Sequence, residues 1–137
     1  MDFQLHQDFK GLPKLLETDN SIFLMQNKSP FYWVIQIPKA ENVKDIYELE
    51  MGHYQKVMEE AYMLQGALTI EYKADKLNFA ALGNMTPQLH LHHVVRFEED
   101  ECWPKPIWGN FKEIEYSVEE QFQRQSKLQS LLHRIFA

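Results

Sequence analysis

The spacing of hydrophobic and polar positions changes along the chain and predicts where strands lie. Two apolar runs, Ile22–Gln26 and Phe31–Ile37, are separated by the turn-forming residues Asn27–Pro30. The second run is apolar at odd and even positions alike, which is typical of a central strand covered on both faces. It ends at Pro38, because proline has no N–H to donate to a sheet. We therefore expect two strands here, with the second inside the sheet.

A longer period follows and predicts the longest helix, from about Asp45 to Leu68. Apolar residues recur there at spacings of three to five, and Glu60 is among the polar residues expected to face solvent. The apolar stripe of the long helix consists of Ile46, Leu49, Tyr54, Val57, Met58, Ala61 and Leu64. A second amphipathic helix is predicted near the end of the chain, where Ser117 and Glu120 have the spacing of a capping box.

Two further strands and two irregular segments complete the pattern. Lys76–Leu82 and Gln88–Phe97 are predicted to form a hairpin around the turn Gly83–Pro87. The acidic run Glu98–Glu101 is expected to be a solvated loop. Apolar residues at helical spacing near the N-terminus predict a short helix, which Gly11 and Pro13 interrupt; they are Leu5, Phe9, Leu12 and Leu16. Because strands and helices are segregated and the hairpins are short, the fold class is α+β with antiparallel pairing.

Composition narrows the function classes. Of 137 residues, 20 are Asp or Glu and 14 are Lys or Arg, so the formal net charge is −6. This balance argues against a nucleic-acid partner, whereas a small phosphorylated ligand needs only local donors. No apolar run is long enough to span a membrane, and the first residues lack a secretory pattern. The single cysteine, Cys102, cannot form an internal disulfide. We expect one domain over residues 1–137, located in the cytoplasm.

The hairpin's second strand carries the most informative chemistry. Three of the six histidines lie within four residues. Because side chains alternate along a strand, His90 and His92 share one face with Gln88 and Arg96, and His93 lies on the opposite, apolar face. Packing is the simpler interpretation for His93, whereas a polar pair of imidazoles is an uncommon way to fill a surface.

Three interpretations of the His90 and His92 pair remain open from spacing alone. The two side chains could be ordinary surface or packing residues. They could supply two ligands to a metal, with Glu98 and His133 as distant further candidates, although no Cys-x-x-Cys or His-Glu-x-x-His motif is present. They could also act together in catalysis, since a neutral imidazole attacks phosphorus through one ring nitrogen when the other is held as a donor.

The segment from Asn84 to Arg96 resembles the signature of the histidine-triad (HIT) superfamily, His-φ-His-φ-His-φ-φ, where φ is apolar. Aligned on Arg96, His90 takes the middle position of the triad, His92 the last and Gln88 the first. The predicted order of strands and the long helix is also similar to that family. The segment Leu77–Asn84 and the sequence Trp-Pro-Lys-Pro-Ile-Trp-Gly resemble a bacterial branch described as diadenosine-tetraphosphate-hydrolase-like.

The resemblance implies a fold and an activity. The fold is an antiparallel sheet of about five strands, with one long helix packed on it and a C-terminal helix, in a homodimer. The implied function is a nucleotide-conjugate hydrolase or nucleotidyl transferase, acting on dinucleoside polyphosphates or nucleoside phosphoramidates without metal or cofactor. A nucleotide-binding regulatory dimer with little hydrolysis is the alternative, because Gln88 cannot exchange a proton as histidine does.

The resemblance also implies roles for residues. His90 is the nucleophile that forms a nucleotidyl-histidine, and His92 hydrogen-bonds the phosphate or the leaving oxygen. Gln88 completes the catalytic set by orienting His90 or a phosphate. Four further side chains are candidates for nucleotide binding; they are the amides of Asn84, Asn27 and Gln26, and the guanidinium of Arg96, which shares the histidine face.

Overall fold

The computed structural model describes residues 2–137, and its centre is a five-stranded antiparallel sheet. The strands are β1 (Lys14–Glu17), β2 (Ser21–Met25), β3 (Trp33–Pro38), β4 (Lys76–Ala80) and β5 (Leu91–Arg96). Their order across the sheet is β1-β2-β3-β5-β4. This arrangement confirms the α+β class and the number of strands. Every residue of β3 is buried, as the apolar run predicted for a central strand.

Two helices pack on one face of the sheet. Helix α1 spans Met51–Tyr72 and helix α2 spans Val118–Phe136. The predicted start of α2 is confirmed, because the Ser117 hydroxyl accepts from the backbone N–H of Glu120 at 3.1 Å. The start of α1 lies later than predicted, since the backbone is extended at Leu49 and Glu50. The preceding residues Ile46–Glu48 form a separate 3-10 turn. No helix within residues 2–137 is long and apolar enough to cross a membrane.

Three expectations about individual segments were wrong. The N-terminal periodicity yields only a 3-10 turn at Gln7–Phe9, and the residues after Pro13 form strand β1, because they pair with β2. Glu60 is buried, since its carboxylate accepts a hydrogen bond from the Ser21 hydroxyl at 2.7 Å. Asp100, in the acidic run, is also largely buried and forms an ion pair with Arg96.

The other face of the sheet is covered by irregular segments rather than by helices. Side chains of β2, β3 and β5 on this face, including Trp33 and Val94, pack against Phe9 from the N-terminal segment. They also contact Ile107 and Trp108 from the long connection after β5. Loops can leave a cleft where two helices would fill it, so this face is where a cavity forms beside β5.

Candidate active site

A cavity of about 300 Å³ opens on the loop-covered face of the sheet, beside the start of β5. Its lining includes His90 and His92, whose ring centroids are 5.0 Å apart at an interplanar angle of 81°. The two imidazoles therefore share one face, as the alternation of side chains predicted. Trp33 and Trp108 form an aromatic wall next to them. The cavity has space for a small ligand beside both rings.

His90 is held in one tautomer by the main chain. Its Nδ1 lies 2.7 Å from the carbonyl oxygen of Gln88. Because a carbonyl only accepts, Nδ1 carries the proton and donates it, so Nε2 keeps its lone pair. The residue is only 7% exposed, and Phe9 meets its ring edge-on with centroids 4.9 Å apart. This is the arrangement that a neutral imidazole needs to act as a nucleophile.

Both ring nitrogens of His92 have protein partners. The indole N–H of Trp33 donates to Nδ1 at 3.0 Å, and Nε2 lies 2.7 Å from the carbonyl oxygen of Leu82. An indole can only donate, so Nδ1 accepts and Nε2–H donates to the carbonyl. Burial lowers the pKa of His92 to about 4. His92 is therefore a neutral hydrogen-bond donor at pH 7.

His93 lies on the helix face, as predicted, inside a fully buried polar network. Its Nε2–H donates to the Gln36 side-chain oxygen at 2.9 Å, and the Gln36 amide donates to the Ser21 hydroxyl and the Val57 carbonyl. Burial lowers the pKa of His93 to about 3. The satisfied partners and the position on the opposite face make this histidine part of the core, away from the cavity.

Gly83 lines the cavity next to His90, which the sequence pattern did not reveal. A Cβ atom placed on it would lie 2.2 Å from Cε1 and 2.8 Å from Nε2 of His90. Real Cβ atoms essentially never come closer than 3.0 Å to another heavy atom. Only glycine therefore allows the loop after β4 to close over the His90 ring. The sequence does show a glycine at the start of a predicted turn. Glycine is common in turns for conformational reasons alone, so its presence did not indicate contact with His90.

The four candidate nucleotide-binding residues divide between the cavity and other places. Asn84 and Gln26 line the cavity. Asn27 does not, because its amide donates to the Gln121 side chain at 3.1 Å. Among residues 2–137, the lining contains one carboxylate, Asp8, and no lysine or arginine. Any anion here would be bound by neutral donors.

Arg96 shares the strand face of the histidines but lies outside the cavity. Its guanidinium forms two hydrogen bonds to the Asp100 carboxylate, at 2.8 and 3.1 Å, and a third at 2.8 Å to the Asn78 side chain. The side chain is 2% exposed. Cys102 lies 3.6 Å from the same guanidinium, and burial raises the pKa of its thiol. This cluster stabilises the connection after β5 and leaves no donor of Arg96 directed at a ligand.

The Gln88 side chain is also directed away from the cavity. Its amide contacts the backbone of the N-terminal segment at Gln4 and His6. Its main-chain carbonyl, by contrast, orients His90. The Gln88 side chain therefore lies apart from the two imidazoles and contacts the N-terminal segment beside the cavity.

The spatial arrangement offers little to a metal ion. Within residues 2–137, no group of three or more His, Cys, Asp or Glu side chains is placed to hold one. His92 would first have to release a partner from a ring nitrogen. Instead, each imidazole makes a hydrogen bond to a main-chain carbonyl, Gln88 for His90 and Leu82 for His92.

The fold is thus an antiparallel sheet with helices on one face and, in a cavity on the other face, a pair of imidazoles at the start of β5. The family model described as HIT domain matches residues 13–99. The chain therefore belongs to the HIT domain family, as its resemblance implied.

Solved structures agree with this assignment. A histidine triad protein from Marinobacter aquaeolei is 38% identical, with a TM-score of 0.92, over 98% of this chain and 99% of that chain. A histidine triad protein from Bradyrhizobium japonicum is 28% identical, with a TM-score of 0.89, over 100% of both chains. A diadenosine triphosphate hydrolase from Plasmodium falciparum is 13% identical, with a TM-score of 0.70, over 99% of this chain and 86% of that chain. At this identity, the similarity supports the fold alone. A search of curated proteins finds no match.

Proposed function

We propose that this chain is a nucleotide-conjugate hydrolase or nucleotidyl transferase in which His90 forms a nucleotidyl-histidine intermediate. The observation that carries this proposal is the hydrogen bond from Nδ1–H of His90 to the Gln88 carbonyl at 2.7 Å. It leaves the Nε2 lone pair on a ring that lines the cavity. Membership of the HIT domain family supports the same assignment.

The proposed reaction has two steps. The Nε2 atom of His90 attacks the α-phosphorus, an Nε2–P bond forms, and the P–O or P–N bond to the leaving group breaks with its electron pair. The imidazolium keeps its Nδ1 proton, and the Gln88 carbonyl stabilises that proton. The leaving group takes a proton from solvent where its basicity requires one. Water, or another acceptor, then attacks phosphorus and loses its proton to solvent. The Nε2–P bond breaks, and its electron pair returns to Nε2, which restores neutral His90.

Neutral donors bind the phosphate in this scheme. Asn84, Gln26 and the Nε2–H of His92 border the space next to His90. His92 has to turn its N–H from the Leu82 carbonyl to a phosphate or leaving oxygen, which exchanges one hydrogen bond for another. Trp33 and Trp108 offer flat apolar surface to a nucleobase.

Substitution of His90 tests the proposal. We expect His90→Ala to abolish turnover of an adenosine phosphoramidate and of a diadenosine polyphosphate while leaving urea unfolding nearly unchanged. An acid-labile adenylyl adduct trapped during turnover should map to His90. The matched control is His133→Ala, since that imidazole is exposed on α2 and outside the cavity. Full turnover by the His90 variant contradicts the proposal.

A nucleotide-binding regulatory protein is the second candidate. The observation favouring it is that both nitrogens of His92 and the amide of Gln88 are already engaged by protein groups. A site without a ready proton donor can bind a nucleotide and hydrolyse it slowly. Calorimetric binding of adenosine monophosphate (AMP), without product from any conjugate or adduct on His90, would favour this function over hydrolysis.

We also propose that the protein is a homodimer joined through α1 and the free edge of β4. Strand β4 lies at the end of the sheet order, so its outer edge has no partner strand within residues 2–137. Beside it, Tyr62 and Ile70 on α1 are 82% and 81% exposed. A second copy would cover both features. Sedimentation should give a dimer, and Ile70→Glu a monomer; a monomeric wild-type protein contradicts this part of the proposal.

A cytoplasmic location and a single domain over residues 1–137 complete the proposal. Cys102 is a free, buried thiol, which fits a reducing compartment.

A further inference from the structure

An irregular N-terminal segment forms one wall of the cavity. Residues 2–12, which we call the N-terminal strap, include Asp8, Phe9 and Leu12 of the lining. Phe9 contacts the His90 ring edge-on. The strap belongs to no strand, so no ladder of sheet hydrogen bonds holds it in place. Its position depends on side chains that reach it from the rest of the molecule.

Gln88 provides two such contacts through its side-chain amide. Its Oε1 accepts from the backbone N–H of His6 at 2.8 Å, and its Nε2–H donates to the backbone carbonyl of Gln4 at 2.9 Å. A primary amide presents an acceptor and a donor side by side on one plane. The two nitrogens of an imidazole point away from each other, so histidine could not make this pair of contacts. Glutamine is thus matched to the strap.

The same residue contacts the reactive ring through its main chain. The Gln88 carbonyl accepts from Nδ1–H of His90. One residue therefore contacts both the strap and the ring, and Phe9 of the strap packs on that ring with centroids 4.9 Å apart. A substitution of the side chain removes the hold on the strap and leaves the carbonyl that orients His90.

We propose that Gln88 is a positioning residue that holds the N-terminal strap against the nucleotide site, so that the strap completes the wall that a bound nucleotide conjugate contacts. The link to conjugates rests on the proposed function of the His90 site, whereas the hold on the strap does not. Two further contacts reach the strap at exposed positions: the Thr86 hydroxyl donates to the Asp8 carboxylate at 2.8 Å, and the backbone N–H of Gln4 donates to the Glu41 carboxylate at 2.9 Å.

The first experiment removes the amide. In Gln88→Ala, we expect hydrogen exchange of the His6 backbone amide to be roughly tenfold faster, and the Kd for AMP to rise by roughly tenfold, since two hydrogen bonds are lost. With a substrate that turns over, KM should rise by a similar factor while kcat changes little. Gln123→Ala, at an exposed position on α2, is the matched control and should leave exchange and affinity unchanged.

The second experiment replaces Gln88 by glutamate and restores the two contacts to His6 and Gln4 by protonating its carboxylate. A neutral glutamic acid has the shape of glutamine, with a carbonyl oxygen to accept from His6 and an O–H to donate to Gln4. Its carboxylate has no donor. In Gln88→Glu, the ratio of its AMP Kd to that of the wild type at the same pH should exceed one at pH 7.5 and fall back towards one at pH 4.5. Because the wild type and the variant share AMP and the same histidines, the ratio cancels the effect of their titration on Kd.

The outcomes separate the two proposals. Unchanged exchange of the His6 amide in Gln88→Ala overturns the inference. So does faster exchange with unchanged AMP affinity, because the strap would then not belong to the site. The inference is also contradicted if the ratio of the AMP Kd of Gln88→Glu to that of the wild type does not change with pH. If wild-type protein binds AMP but forms no adduct on His90, the proposed hydrolysis fails, and the exchange and affinity measurements still decide the role of Gln88.

Discussion

Gly83→Ala probes the geometry of the site more sharply than removal of a catalytic group. The new Cβ would lie 2.2 Å from Cε1 of His90, and ordinary contacts begin at 3.4 Å. The ring or the loop must therefore move by about 1 Å. Movement of the ring away from the methyl group strains the 2.7 Å hydrogen bond to the Gln88 carbonyl and disturbs the edge-on contact with Phe9.

The expected loss of activity is large. A displacement of about 1 Å in a reacting group costs on the order of 100-fold in rate, which corresponds to about 2.7 kcal/mol in the activation free energy. The backbone itself accepts alanine, because Gly83 does not have a positive φ. The clash with the buried His90 ring should still lower the free energy of unfolding by ~1–3 kcal/mol, which is typical of an overpacked contact.

The assay is kcat/KM with an adenosine phosphoramidate, together with the NMR shift of the His90 Hε1 proton and urea unfolding. Gly52→Ala is the control, because a Cβ there meets nothing within 4 Å. It should keep full activity and gain up to ~1 kcal/mol of helix stability. If Gly83→Ala has wild-type kcat/KM and an unmoved Hε1 signal, the close approach of the loop to His90 does not constrain the ring, and the reasoning is refuted.

Three further predictions follow from other contacts. The pKa values of His92 and His93, lowered by burial to about 4 and about 3, mean that the unfolded chain binds more protons below pH 6.5. The contribution of these two histidines to the free energy of unfolding should therefore be complete above pH 6.5. It should fall as the pH drops towards 4, by up to ~1.4 kcal/mol per pH unit for each histidine. Urea titrations at pH 7, 5.5 and 4.5 measure this slope, and solvated rings would give none. Trp33→Phe removes the donor to Nδ1 of His92, so ¹⁵N NMR should show a mixture of tautomers where the wild type has one, and a single unchanged tautomer would argue against the indole's role. Arg96→Lys loses the paired contacts to Asp100 and should cost roughly 1–3 kcal/mol in urea unfolding, while AMP affinity stays within about twofold; a large loss of affinity would assign Arg96 to the ligand after all.

The sequence was most informative where the structure depends on local periodicity. Alternation along Gln88–Phe97 separated His90 and His92 from His93, and the structure has the same division. Periodicity failed near the N-terminus, where Pro13 and pairing with β2 override a helical spacing. It also failed for Glu60, because a charged residue on a helix gives no sign of the Ser21 hydroxyl that binds it.

The parts of the site that were missed depend on residues far apart in the chain. Trp33 contacts His92 across 59 positions, and Gln88 contacts Gln4 across 84. No pattern within a single segment indicates such contacts. Arg96 illustrates the opposite error, since its strand face was predicted correctly while its guanidinium is occupied by Asp100. A shared face was necessary for a shared site, but the loops decide which side chains reach the ligand.

The hydrogen bond between His93 and Gln36 joins β5 to β3 across 57 positions of sequence. Both strands are rich in aliphatic side chains, and hydrophobic burial alone tolerates sliding of one along the other. A slip by a single residue would carry His92 into the core and leave His93 in the cavity. It would also leave the buried Gln36 side-chain amide without its hydrogen-bond partner, which is costly in a protein interior. The buried hydrogen bond therefore favours one register of β5 against β3, and that register determines which imidazole faces the cavity.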